Sequence, residues 1–163
     1  MKKSLKILII LFVFTTFVSC FKIEKVPIEP RIKFEEFIYV DSVGFNHVLN
    51  GSLRFSFEDG DGNIGFGIDS IAENTVFIEK YKIKNNIPIR MEIDGSLLNF
   101  KIKQFSTSGN RRALRGDIVI KNLDEIFPIN NDDTLMYKFY IQDRDKHVSN
   151  IDSTGFLPLR NFF

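Results

Sequence analysis

The chain has 163 residues, a net charge of +1 and 44% hydrophobic residues, among them 18 phenylalanines and no tryptophan. A single cysteine excludes an intrachain disulfide framework. The near balance of charge argues against the basic stripe that a nucleic-acid binder carries.

Lys2, Lys3 and Lys6 precede an apolar run from Ile7 to Val18, interrupted only by Thr15 and Thr16. Twelve helical residues span about 18 Å, well short of the ~30 Å hydrocarbon core of a membrane. Length, flanks and order therefore predict a cleaved signal peptide over residues 1–19 rather than a permanent span. Phe17-Val18-Ser19-Cys20 resembles a bacterial lipobox, with Phe17 where leucine is usual. The resemblance implies that Cys20 is the lipidation site and carries a diacylglyceryl and an N-acyl group. Several chains anchor lastingly where one holds only marginally. The alternative is a free or buried cysteine that follows an ordinary signal peptide. The leader takes three of the 22 basic residues and none of the 21 acidic ones, so the remaining 144 residues carry a charge of −2.

Residues 20–31 contain Pro27 and Pro30 in a polar setting, which predicts a lipidated cysteine and an extended tether. From residue 32 to 163 the pattern has period two. Ile32, Phe34, Phe37 and Ile38 predict a first strand, with a bulge at Glu35-Glu36. Leu53, Phe55 and Phe57 alternate with polar residues in a second. Val76, Ile78, Tyr81 and Ile83 mark a third, and residues 87–93 and 97–105 are further candidates. Asp94-Gly95 between them is a hairpin signal. Residues 122–127 are the one predicted helical turn. Ile118 and Ile120, then Leu135, Tyr137, Phe139 and Ile141, and last the stretch 148–157, complete the set.

About seven short strands of this kind predict an all-β, immunoglobulin-like antiparallel β-sandwich. Asp133-Thr134-Leu135-Met136-Tyr137-Lys138-Phe139 resembles the F-strand pattern of that fold, with Phe139 in the place of the cysteine. The resemblance implies that the Tyr137 hydroxyl bonds nearby backbone and pins the E–F corner.

Chemistry concentrates in two runs. Asp59, Asp61 and Asn63 alternate along a glycine-rich loop, a spacing that lets oxygen ligands converge on a hard cation such as Ca²⁺. An EF-hand is excluded, because its sixth and twelfth positions fall on Ile64 and Ser70. Asp143 and Asp145 follow the predicted F strand as Asp59 follows the predicted B strand. In the expected fold the B–C and F–G loops share one end of the domain. Asp59, Asp61, Asn63, Asp143 and Asp145 thus form a candidate metal site. Two readings without metal stand beside it: the Asp-Gly steps are turn-makers, and Arg144 and Lys146 pair with the first loop's carboxylates.

The segments DGDGNIG (59–65) and DRDKHVSN (143–150), in this order behind a lipobox, resemble small envelope lipoproteins of the Bacteroidetes. The resemblance implies a lipid-anchored envelope protein with an immunoglobulin-like domain and implies no known activity; the expected function is a non-enzymatic structural or protein-interaction module. No acidic cluster follows Cys20, which favours an outer-membrane anchor facing the periplasm. The expected partners are the membrane, through the lipid on Cys20, and another envelope protein. The alternative function is a lipoprotein that captures an oligosaccharide or peptide at a calcium-organised loop end. No G-x-S-x-G elbow supports a Ser-His-Asp hydrolase built on His147. His47 and His147 are expected at the surface. Arg111, Arg112 and Arg115 read as a solvated basic loop. Terminal Phe162-Phe163 does not make a membrane barrel, because the strands are too irregular for one.

Overall fold

The computed structural model describes residues 26–42, 48–67, 73–91, 98–104, 113–126 and 133–162. The expected leader, Cys20, His47, the expected turn at Asp94-Gly95, Arg111 and Arg112 lie outside the described residues. Among the described residues ten strand segments form two sheets: β1 (Arg31–Ser42), β2 (Val48–Asp59), β3 (Val76–Lys84), β4 (Ile87–Arg90), β5 (Leu98–Phe100), β6 (Leu114–Lys121), β7 (Glu125–Ile126), β8 (Thr134–Ile141), β9 (Asp152–Ser153) and β10 (Leu157–Pro158). A 3-10 helix, Leu159–Phe162, follows the last strand.

In the first sheet β2 lies between β1 on one edge and β6 with β7 on the other. In the second, β3 and β8 form the centre, flanked by β4 and β5 on one side and by β9 and β10 on the other. The paired short segments collapse the ten strands onto seven positions. Their order is the A-B-E and C′-C-F-G arrangement of an immunoglobulin-like sandwich, and all the strand pairings are antiparallel.

Alternation in β2 and β8 builds the interior. Leu53, Phe55 and Phe57 from β2 meet Tyr137, Phe139 and Ile141 from β8, with Val76, Ile78, Ile118 and Ile120 around them. Phe55 and Phe139 lie 5.0 Å apart with tilted rings, at the place where an antibody domain joins its B and F strands by a disulfide. Each ring buries on the order of 150–250 Å², so an aromatic pair replaces the covalent bridge. The first strand is bulged at the expected place, its register shifting between Phe34 and Glu36.

Several expectations are corrected. Residues 122–126 of the expected helical turn are not helical, and Phe127 lies outside the described residues. Asn122 turns the chain with φ 65°, Leu123 N–H donates to Gly51, and β7 then pairs with Val48 and Leu49. Backbone pairing across the sheet outcompetes a single isolated helical turn, whose nucleation is costly. The Tyr137 hydroxyl does not bond backbone. It donates to the Glu125 carboxylate at 2.9 Å and lies 3.2 Å from the Tyr39 hydroxyl. Lys80, which pairs with Tyr137 across β3 and β8, forms an ion pair with the same carboxylate. Tyr137 thus pins β7 through a side chain. Arg31, expected as the last residue of the tether, is the first residue of β1.

Candidate metal centre

The two central strands each end their inward-facing row in an aspartate. In β2 the row runs through Leu53, Phe55 and Phe57 to Asp59, which is 0% exposed. In β8 it runs through Tyr137, Phe139 and Ile141 and reaches Asp143, 1% exposed, two residues on. Because side chains alternate with period two, the register that buries the phenylalanines also drives both carboxylates inside. They meet at one end of the sandwich, where the loops 59–65 and 142–148 lie together.

All five residues expected to cluster do so. Asp59 Oδ2 accepts the Asn63 backbone N–H at 2.8 Å. The Asn63 side-chain amide donates to Asp61 at 3.0 Å and to Asp145 at 2.9 Å, joining the two loops. Asp143 accepts the His147 N–H at 2.8 Å and faces the His147 ring Nδ1 at 2.8 Å. One ligand atom each from Asp61, Asp143 and His147 lies within 4.8 Å of the others.

Polar demand exceeds supply here. Asp59 Oδ1, Asp61 Oδ1 and Asn63 Oδ1 are buried and accept no hydrogen bond. Burial pushes the Asp59 carboxyl up to about 6; the Asn63 N–H works against this, while the charges of Asp61 and Asp143 add to it. The His147 ring is raised above its ordinary value, chiefly by its hydrogen bond to Asp143. His147 is therefore not the free surface residue expected from sequence; its ring is held and half-buried. Lys146 does not pair with the first loop either, but with Glu73. Among the described residues, His147 supplies the ion pair to the cluster.

Two further features were not visible in the sequence. A Cβ built on Gly60 would lie 2.3–2.4 Å from the carbonyl oxygens of Pro27 and Val26. Only glycine admits that contact, so the N-terminal strap, residues 26–30, is seated on the Asp-Gly loop. The Ser149-Asn150 pair serves the sandwich itself. Asn150 exchanges two hydrogen bonds with the backbone of Ile32 at 2.9 and 3.0 Å, and Asp152 accepts the Phe34 N–H at 2.6 Å. Side chains from 118 residues away thus stand in for a strand along the free edge of β1, an edge that would otherwise invite foreign pairing. The Arg115 guanidinium pairs with Glu58 at 3.2 Å.

Comparison with protein-family models, curated proteins and solved structures gives no match to this chain.

Proposed function

We propose that the protein is an envelope lipoprotein, anchored to the outer membrane through Cys20 and facing the periplasm, whose sandwich is a non-enzymatic module contacting another envelope protein. The observation that carries this reading is the seating of Val26 and Pro27 on Gly60. Five residues lie between Cys20 and Val26, and the six Cα steps reach at most about 20 Å. An anchored domain of this build hangs close to the membrane with its Asp-rich loop end turned toward it. The broad faces of both sheets are then available to a partner.

The outer face of the second sheet has the composition of a contact surface. Phe77 and Tyr140 stack at 4.9 Å, Lys138 lies 5.0 Å over the Tyr81 ring, and Ile151 is exposed. Glu79, Tyr81, Lys138 and Asp152 border a shallow groove of about 490 Å³ there. Aromatic residues within a polar rim are enriched at protein interfaces. The two buried tyrosines serve the fold: Tyr39 and Tyr137 join Glu125 and Lys80 between the sheets.

Membrane fractionation tests the anchor. Cys20→Ala should lose acylation and move to the soluble periplasmic fraction; a variant still held in the membrane contradicts it. A photo-crosslinker at Tyr81 should yield a discrete protein adduct in intact envelopes, whereas one at Val119, on the other sheet, should not. Equal labelling from both positions contradicts the assignment of the face.

A further inference from the structure

We infer that the loop end binds one divalent cation of the calcium class, with Asp59, Asp61, Asn63 and Asp143 as ligands, and that the cation fastens the N-terminal strap to the domain. The argument starts from Asp59. Its position at the end of the β2 core row gives it no access to water, yet its Oδ1 has no donor. The Asp61 and Asp143 carboxylates bring oxygens within 4.8 Å of each other, and Asp59 and Asp143 are both buried. Like charges gathered in a buried site need a proton or a cation between them. Three buried oxygens, on residues 59, 61 and 63, accept no hydrogen bond, and Asp61 reaches across to the buried Asp143 from the opposite sheet. That donor set is oxygen-rich, as hard cations require.

His147 does not redirect the site toward a softer metal. Its Nδ1 is engaged by Asp143 Oδ2 at 2.8 Å, and the remaining donors are oxygens. Asp145 stands behind Asn63, accepting from its amide. Gly60 lies between the ligands Asp59 and Asp61, and the strap packs against Gly60 through Val26 and Pro27. Neutralising the carboxylates draws the two loops together and holds that glycine in place. One cation therefore joins three separated chain segments: the strap, the loop after β2 and the loop after β8. In a domain without disulfides, such a clasp supplies a cross-link between the sheets. The inference stands on the loop geometry and does not require that Cys20 be acylated.

The test is urea unfolding of the full chain, purified in detergent, followed by tyrosine fluorescence with Ca²⁺ or with EGTA. Extracellular calcium modules bind with Kd on the order of 10⁻⁴–10⁻³ M. At that affinity, 10 mM Ca²⁺ lowers the unfolding constant about 10- to 100-fold. Hydrogen exchange at residues 26–30 should slow in parallel. Asp61→Asn and, separately, Asp59→Asn should fold in EGTA and lose both responses. Identical unfolding of the unsubstituted chain in Ca²⁺ and EGTA overturns the inference. So does a calcium response that survives both substitutions, or a stabilisation by micromolar Zn²⁺ that His147→Gln abolishes. Calcium stabilisation with unchanged exchange at 26–30 overturns the clasp on the strap.

Discussion

Replacing Asp59 by asparagine should stabilise the metal-free domain at neutral pH, although it alters a fully buried residue. The folded protein holds the Asp59 proton up to about pH 6, against an ordinary value of 3.8. Between these two values the folded state binds more protons than the unfolded chain, so stability falls as pH rises through that window. Above pH 6 the whole cost is present. A shift of about two units corresponds to about 3 kcal/mol at 1.36 kcal/mol per unit. Water reaching the neighbouring half-buried Asp61 lowers this, so about 1–3 kcal/mol is expected. The asparagine keeps an acceptor for the Asn63 N–H and carries no charge toward Asp61 and Asp143. Urea unfolding in EGTA from pH 3.5 to 7.5 measures the effect. The unsubstituted chain should lose stability between pH 4 and 6, while Asp59→Asn should be flatter there and more stable at pH 7. A flat profile for the unsubstituted chain, together with a less stable variant at pH 7, would refute the electrostatic reasoning.

Phe139→Ala should cost about 3–5 kcal/mol in urea unfolding, because Phe139 is fully buried against Phe55 and Phe34; a loss below about 1 kcal/mol would remove it from the core. Gly60→Ala should destabilise by about 1–3 kcal/mol through overpacking and speed hydrogen exchange at residues 26–30. Gly155→Ala is its control: there a Cβ meets no atom within 4 Å, and the cost is backbone strain at φ +70° alone. Burial raises the hydroxyl pKa of both Tyr39 and Tyr137. Folded pKa values above the unfolded one give stability that is complete below pH 10 and falls as pH rises beyond it. Alkaline unfolding should therefore begin near pH 10, and Tyr137→Phe should weaken that dependence; an unchanged alkaline limb would contradict this.

The sandwich was legible wherever one face of a strand is buried and the other is wet. Leu53, Phe55, Phe57 and Tyr137, Phe139, Ile141 state their period directly, and the two glutamates after Phe34 mark the bulge. Residues whose structure depends on distant partners were not legible. Leu123 to Ile126 carry a locally helical pattern, but Gly51, Leu49 and Val48 claim their backbone. The Tyr137 hydroxyl found Glu125 because β7 brings that carboxylate alongside. The Asn85-Asn86 turn between β3 and β4, with φ of 51° and 63°, had a signal in asparagine's tolerance of left-handed backbone.

The candidate metal centre was legible as a set of residues but not as a buried one. Extending the β2 alternation by one step past Phe57 places Asp59 inside, and the same step past Ile141 places Asp143 there. That extension was available from the sequence and separates this cluster from an ordinary solvated turn. The His147 contact was available too, from its position four residues after Asp143 in a tight loop. The strap on Gly60 was not, since nothing local distinguishes a glycine that turns the chain from one that admits a neighbour.

Mass spectrometry of the intact protein from envelope membranes tests the anchored-module account most directly. The account predicts a chain that begins at residue 20, lacks residues 1–19 and carries a diacylglyceryl and an N-acyl group on Cys20. A chain that retains residues 1–19, or one that begins elsewhere with an unmodified Cys20, would contradict it.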